Sequence, residues 1–118
     1  MIELLLAASL ALGLSESIET RLPQDPGMIY TVGFKYQGVK VGLDWKNRGV
    51  VAERVCRKSS SAQRSQCQAA ALNWLNAECT YYGDKKRLNG KQQDMQRAVC
   101  NGAQDLGDLI SARQVAER

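Results

Sequence analysis

The chain has 118 residues, 44% hydrophobic and 24% charged, which fits one domain with a modest core and leaves no room for two well-buried ones. Proportions this ordinary exclude a wholly disordered chain. The formal net charge of +4 favours acidic partners weakly and falls well short of a nucleic-acid signature.

Residues 2–14 are almost all apolar, and polar sequence follows at Ser15-Glu16-Ser17. Such a run is too short to cross a bilayer and fits the apolar core of a signal peptide. Ala11 and Gly13, small and two apart, suit a cut before Leu14. The flank departs from the usual pattern, holding Glu3 and no Lys or Arg. The expectation is a signal peptide over 1–13 and a periplasmic or secreted mature protein, with net charge +5 once Glu3 is removed and no stable membrane span.

Residues 14–27 form a polar arm in which Ser17–Leu22 has the composition of one helical turn. Pro23 ends it, and Asp25-Pro26-Gly27 reads as a turn. The remainder, 28–118, is expected to be a single disulfide-stabilised domain. Tyr30, Val32, Phe34 and Tyr36 alternate with smaller or polar residues, as do Val39, Val41, Leu43 and Trp45. Period two with aromatic and β-branched enrichment predicts strands near 28–36 and 39–45, joined tightly at Gln37-Gly38. A turn at Asn47-Arg48-Gly49 leads into Val50–Val55, read as a third strand over 50–55.

Cys67, Ala70, Ala71, Trp74, Leu75, Cys79 and Tyr82 recur at three- and four-residue steps, which predicts a helix near 62–82 capped by one of Ser59, Ser60 or Ser61. After a charged loop, Asn89 is placed to cap a second helix near 90–110 with Met95, Val99, Ala103, Leu106 and Ile110 inward. From Ser111 the chain is polar and expected to fray. The fold class is therefore α+β: a three-stranded antiparallel meander packed against a disulfide-linked antiparallel helical hairpin.

Cys56, Cys67, Cys79 and Cys100 are an even set in a small chain, with ten, eleven and twenty residues between successive members. These spacings lack the close pairs of a zinc knuckle, and a disulfide pattern agrees with export. On one straight helix, Cys67 and Cys79 stand about 18 Å apart, beyond the roughly 7 Å a bridge allows. Two pairings remain. A hairpin folding near Lys86 favours Cys67 with Cys100 and Cys56 with Cys79; the alternative joins Cys56 with Cys67 and Cys79 with Cys100.

With no histidine, Ser-His-Asp and Cys-His sites and common zinc hydrolase centres are missing. No glycine pattern matches a phosphate loop, no Cys-x-x-Cys occurs, and no cofactor or metal is implied. Asp105 and Asp108, three apart, read as a solvated helix face, and Glu78 beside Cys79 as a capping or salt-bridge residue. Lys85, Lys86 and Arg87 form the densest cationic patch, with Tyr81 beside it; Arg54, Arg57, Lys58 and Arg64 form a second around Cys56. Tyr36 and Trp45 are aromatic candidates for a sheet face open to a partner.

The expectation is a non-enzymatic exported protein that binds another macromolecule, an inhibitor, an immunity-type protein or an accessory subunit of an envelope or secretion assembly. Its partner is another protein, acidic in character, met by Tyr81, Lys85, Lys86, Arg87, Trp45 and Tyr36. Nucleic acid is disfavoured, and oligomeric state is not legible. The alternatives are a small carboxylate-dependent hydrolase and a binder of polyanions such as glycans, lipid headgroups or nucleic acid.

Overall fold

The computed structural model describes residues 27–116. The leader expected over 1–13 and all but the last residue of the 14–27 arm lie outside the described residues.

Strands β1 (Tyr30–Tyr36) and β2 (Val39–Lys46) pair antiparallel, with Tyr36 opposite Val39 and Tyr30 opposite Trp45. Gln37 and Gly38 both adopt positive φ, 52° and 81°, the mirror-image turn whose twist matches a two-residue hairpin. Asn47 and Arg48, φ 53° and 63°, repeat that turn and lead into β3 (Gly49–Val50), giving the sheet order β1-β2-β3. This register places Tyr30, Phe34, Tyr36 and Trp45 all on one face, where they meet the core. The opposite face carries Thr31, Gly33, Lys35, Lys40, Gly42 and Asp44.

The third strand is shorter than the expected 50–55. After Val50 the chain turns into a 3-10 segment, Ala52–Arg54. Ala52 and its C-capping Val55 are the buried residues of the 50–55 stretch, and a spacing of three suits a 3-10 turn where a strand needs two.

Helix α1 (Ser61–Gly83) packs on the aromatic face of β1 and β2, and helix α2 (Gly90–Ala116) packs on α1, β3 and the 3-10 turn. Ser60 occupies the N-cap of α1 without a side-chain bond, its carbonyl accepting the Gln63 N–H. Asn89 caps α2 reciprocally: its Oδ1 accepts the Gln92 N–H at 2.8 Å, and its own N–H donates to Gln92 Oε1 at 3.1 Å, a capping box with Gln in the usual Glu position. Trp45, Trp74, Leu43, Leu75, Met95, Val99 and Leu106 are completely or almost completely enclosed, and Phe34 packs on Trp74 with ring centroids 5.0 Å apart. Helix α2 does not fray at Ser111. It runs to Ala116, and Arg113 Nη1 donates to the buried Gln68 Oε1 of α1 at 2.8 Å.

All four cysteines are bridged, Cys56 to Cys67 and Cys79 to Cys100. The favoured pairing of Cys67 with Cys100 and Cys56 with Cys79 is thereby corrected to its alternative. The cause is the fold point of the hairpin. Cys79 faces Cys100, Leu75 faces Gly102, Leu72 faces Gly107 and Gln68 faces Arg113, so the helices fold about Asn89-Gly90 rather than Lys86. A displacement of about three and a half residues in the fold point moves every cross-helix partner by about seven, from the level of Leu72 to that of Cys79.

Candidate functional site

The early end of β3 shapes one side of the molecule. Cys56 sits at φ 62°, a left-handed conformation that costs a non-glycine residue about 1–2 kcal/mol. Two contacts hold it there: its N–H donates to the Gly42 carbonyl at 2.9 Å, and its sulfur is bridged to Cys67 at the second turn of α1. Past Cys56 the connector turns away from β2, leaving a groove of about 550 Å³ between the stretch Gly38–Gly42, at the start of β2, and the segment Cys56–Ser60. The buried Cys56–Cys67 bridge fastens its far wall, and Arg64 Nη2 braces that wall by donating to the Ser59 carbonyl at 3.3 Å.

The groove is cationic. Lys40 comes from β2, Arg54 from the 3-10 turn, and Arg57 and Lys58 from the connector. A single carboxylate, Asp44, lies among them with 2% of its side chain exposed. Its Oδ2 accepts Arg54 Nε at 2.8 Å and Arg57 Nε at 2.7 Å, while its Oδ1 accepts the Thr31 hydroxyl at 2.7 Å. Burial by itself raises this carboxyl, but the Thr31 hydroxyl and the Arg57 and Arg54 guanidinium groups outweigh it and hold Asp44 below the usual carboxylate range.

This anchoring orients the cations without consuming them. Each arginine uses Nε on Asp44, and about two-fifths of each side chain stays open to solvent beside the groove. The sheet adds to the field. Lys35 stands directly opposite Lys40 on the outer face, and like charges facing each other across two strands weaken a sheet. Between this pair and Asp44, Gly33 faces Gly42, leaving the face bare of side chains; a Cβ on Gly42 would meet nothing within 4 Å.

The cationic patch predicted around Cys56 thus supplies Arg54, Arg57 and Lys58 to the groove wall, with Arg64 bracing it, and its organiser, Asp44, ten residues before Arg54, lies outside that prediction. The signal available was a lone acid on the outer face of a strand followed by two arginines three residues apart.

The residues singled out for docking separate. Tyr81, Lys85, Lys86 and Arg87 do gather around the end of α1. Lys85 Nζ lies 4.7 Å from the Tyr81 ring centroid and 5.9 Å from that of Tyr82, while Lys86 and Arg87 are exposed. Lys85 and Lys86 border an open depression of about 660 Å³ shared with Arg97 and Cys100. Trp45 is completely enclosed, so it packs the core and touches no partner. Tyr36 is half-buried on the inner face. Glu78 is a buried residue of α1.

Among the described residues no cluster of three potential metal ligands occurs, and no helix is long and apolar enough to cross a membrane. No protein-family model, curated protein or solved structure matches the chain.

Proposed function

We propose that this chain is an exported, disulfide-stabilised binding protein without catalytic activity, and that it holds an acidic partner protein in the groove between β2 and the Cys56–Ser60 segment. The observation that carries this is the groove's charge: Lys40, Arg54, Arg57 and Lys58 surround one carboxylate that is already engaged by both arginines. Complementary charge of this kind steers an acidic surface and fixes its register. The same geometry speaks against carboxylate-based hydrolysis at this site. A general acid needs a raised pKa and a second carboxylate at a working distance, whereas Asp44 is held ionised and is the groove's only acid among the described residues.

The test is affinity capture with the oxidised full chain from an envelope and extracellular extract, repeated with the Lys40→Ala/Lys58→Ala double variant. Both side chains are exposed, so the variant keeps the fold. A saturable, salt-sensitive protein partner lost from the variant supports the proposal. Equal retention by both proteins, or no saturable partner, refutes it.

A further inference from the structure

The groove offers more than charge, because one of its walls is an open strand edge. Alternate residues of β2 turn their backbone groups toward β3: the Asp44 carbonyl accepts the Val51 N–H at 2.9 Å, and the Gly42 carbonyl accepts the Cys56 N–H at 2.9 Å. Lys40 is the next residue along that edge. Among the described residues no backbone hydrogen bond reaches the Lys40 N–H, the Lys40 carbonyl or the Gly42 N–H from this side. Continuing the register of Trp45 with Val50 would bring Val55 opposite Lys40. The 3-10 turn at Ala52–Arg54 and the reversal at Cys56 prevent this, and the groove lies where that stretch of strand would have been.

A lysine on an edge is a common guard against strand pairing. Here three further cations from another segment face the same gap, and the outer face beside it is cleared by Gly33 and Gly42. Glycine inside a strand marks a place where another backbone comes close. An occupant that satisfies everything on offer needs backbone amide and carbonyl groups for the edge and carboxylates for the guanidinium groups, a pairing that Arg makes in two-point fashion. A sulfated glycan or a phosphate supplies an anion for the guanidinium groups and lacks the backbone amides.

Building on the function proposed above, we infer that the groove takes an acidic peptide segment of the partner in extended form, which adds as a short strand to the β2 edge at Lys40 and Gly42 and presents a carboxylate to Arg54 and Arg57. This is strand addition, in which the ladder supplies affinity and alternate side chains supply specificity.

The experiment is an NMR titration of the isotopically labelled, oxidised full chain. The probes are the capped peptide Glu-Thr-Glu-Thr-Glu, two analogues N-methylated on alternate residues so that each blocks one edge of the peptide, and a heparin-type sulfated pentasaccharide. The parent peptide shifts the Lys40 and Gly42 amide signals. One methylated analogue binds about tenfold more weakly, the loss expected for one or two backbone hydrogen bonds, while the other binds like the parent. Gly42→Val, which fills the notch, abolishes binding while leaving the disulfide map and circular dichroism unchanged; the peptide series gives its answer whether or not that variant folds. Equal affinity of all three peptides, or shifts that bypass Lys40 and Gly42, overturn strand addition and leave the cationic groove standing. No response to any peptide or to the pentasaccharide overturns both.

Discussion

Gly102 lies where α2 presses on β3, and replacing it with alanine sets two opposing effects against each other. A Cβ at this position would sit 3.0 Å from Val50 Cβ, 3.1 Å from Val50 Cγ2 and 3.5 Å from Leu75 Cδ2. Carbon atoms in contact rest at about 3.5–4.0 Å, so Val50 would have to retreat by roughly half an ångström. Rotation about χ1 gives no relief, because Val50 Cβ is fixed to the backbone of a two-residue strand held on β2. Exchanging Gly for Ala inside a helix stabilises by about 0.5–1 kcal/mol, while overpacking a filled contact costs about 1–3 kcal/mol. Gly102→Ala is therefore expected to destabilise by about 1 kcal/mol. Gly107, on the same helix, is the internal control: its Cβ would meet Leu72 Cδ1 at 3.9 Å, an ordinary contact, so Gly107→Ala is expected to stabilise by about 0.5–1 kcal/mol. Urea denaturation of the oxidised full chain reads both from the shift in midpoint at common slope. A Gly102→Ala protein as stable as the parent, or more so, would refute the close approach of α2 to β3.

Two further outcomes follow from the groove and its bridges. The folded Asp44 carboxyl ionises at lower pH than an unfolded one, so its contribution to stability is complete above the ordinary carboxylate range, about pH 4, and is lost as pH falls through the folded value. Asp44→Asn is expected to remove this share of acid sensitivity and to cost about 2 kcal/mol at neutral pH, below the usual figure for a broken buried pair because both arginines keep water; urea midpoints that fall in parallel for both proteins between about pH 3 and 7 would contradict it. The bridges close segments of 11 and 21 residues, and chain entropy assigns each about 3 kcal/mol. Cys79→Ser/Cys100→Ser should lower the midpoint and keep acidic-peptide binding, whereas Cys56→Ser/Cys67→Ser should lower it comparably and lose binding, because the groove wall is released; calorimetric titration of both variants with the Glu-Thr-Glu-Thr-Glu peptide separates them.

Much of the fold was legible because short-range physics fixes it. The period-two runs ending at Tyr36 and beginning at Val39 specify a hairpin with only Gln37 and Gly38 between them, and Asn89 three residues before Gln92 specifies the start of α2. The bridges were less legible, since their pairing depends on where the interhelical loop folds. Nothing in Asp84–Asn89 states that point, and an error of a few residues there doubles across the hairpin. The lower end of α2 escaped for a related reason: Arg113 is held by Gln68, which is 45 residues away in sequence, and local composition carries no trace of that bond.

The groove was hidden by the same element that creates it. Val50–Val55 is rich in β-branched residues, and propensity alone extends it as a third strand; that strand would have covered Lys40 and sealed the β2 edge. Tertiary burial overrides propensity here. Ala52 and Val55, three apart, both enter the core, and Cys56 is bridged to α1 in a conformation no strand accommodates. The turn this forces carries Arg54 and Arg57 back over the outer face, where Asp44 receives them at 2.8 and 2.7 Å. One short deviation thus ends the strand, opens the edge, sets its cations and is locked by a disulfide. If these were unrelated features of a stable fold, Cys56 could be replaced at the cost of stability alone. The strand-addition proposal requires instead that binding disappear with the bridge while the hairpin, the sheet and the Cys79–Cys100 bridge remain.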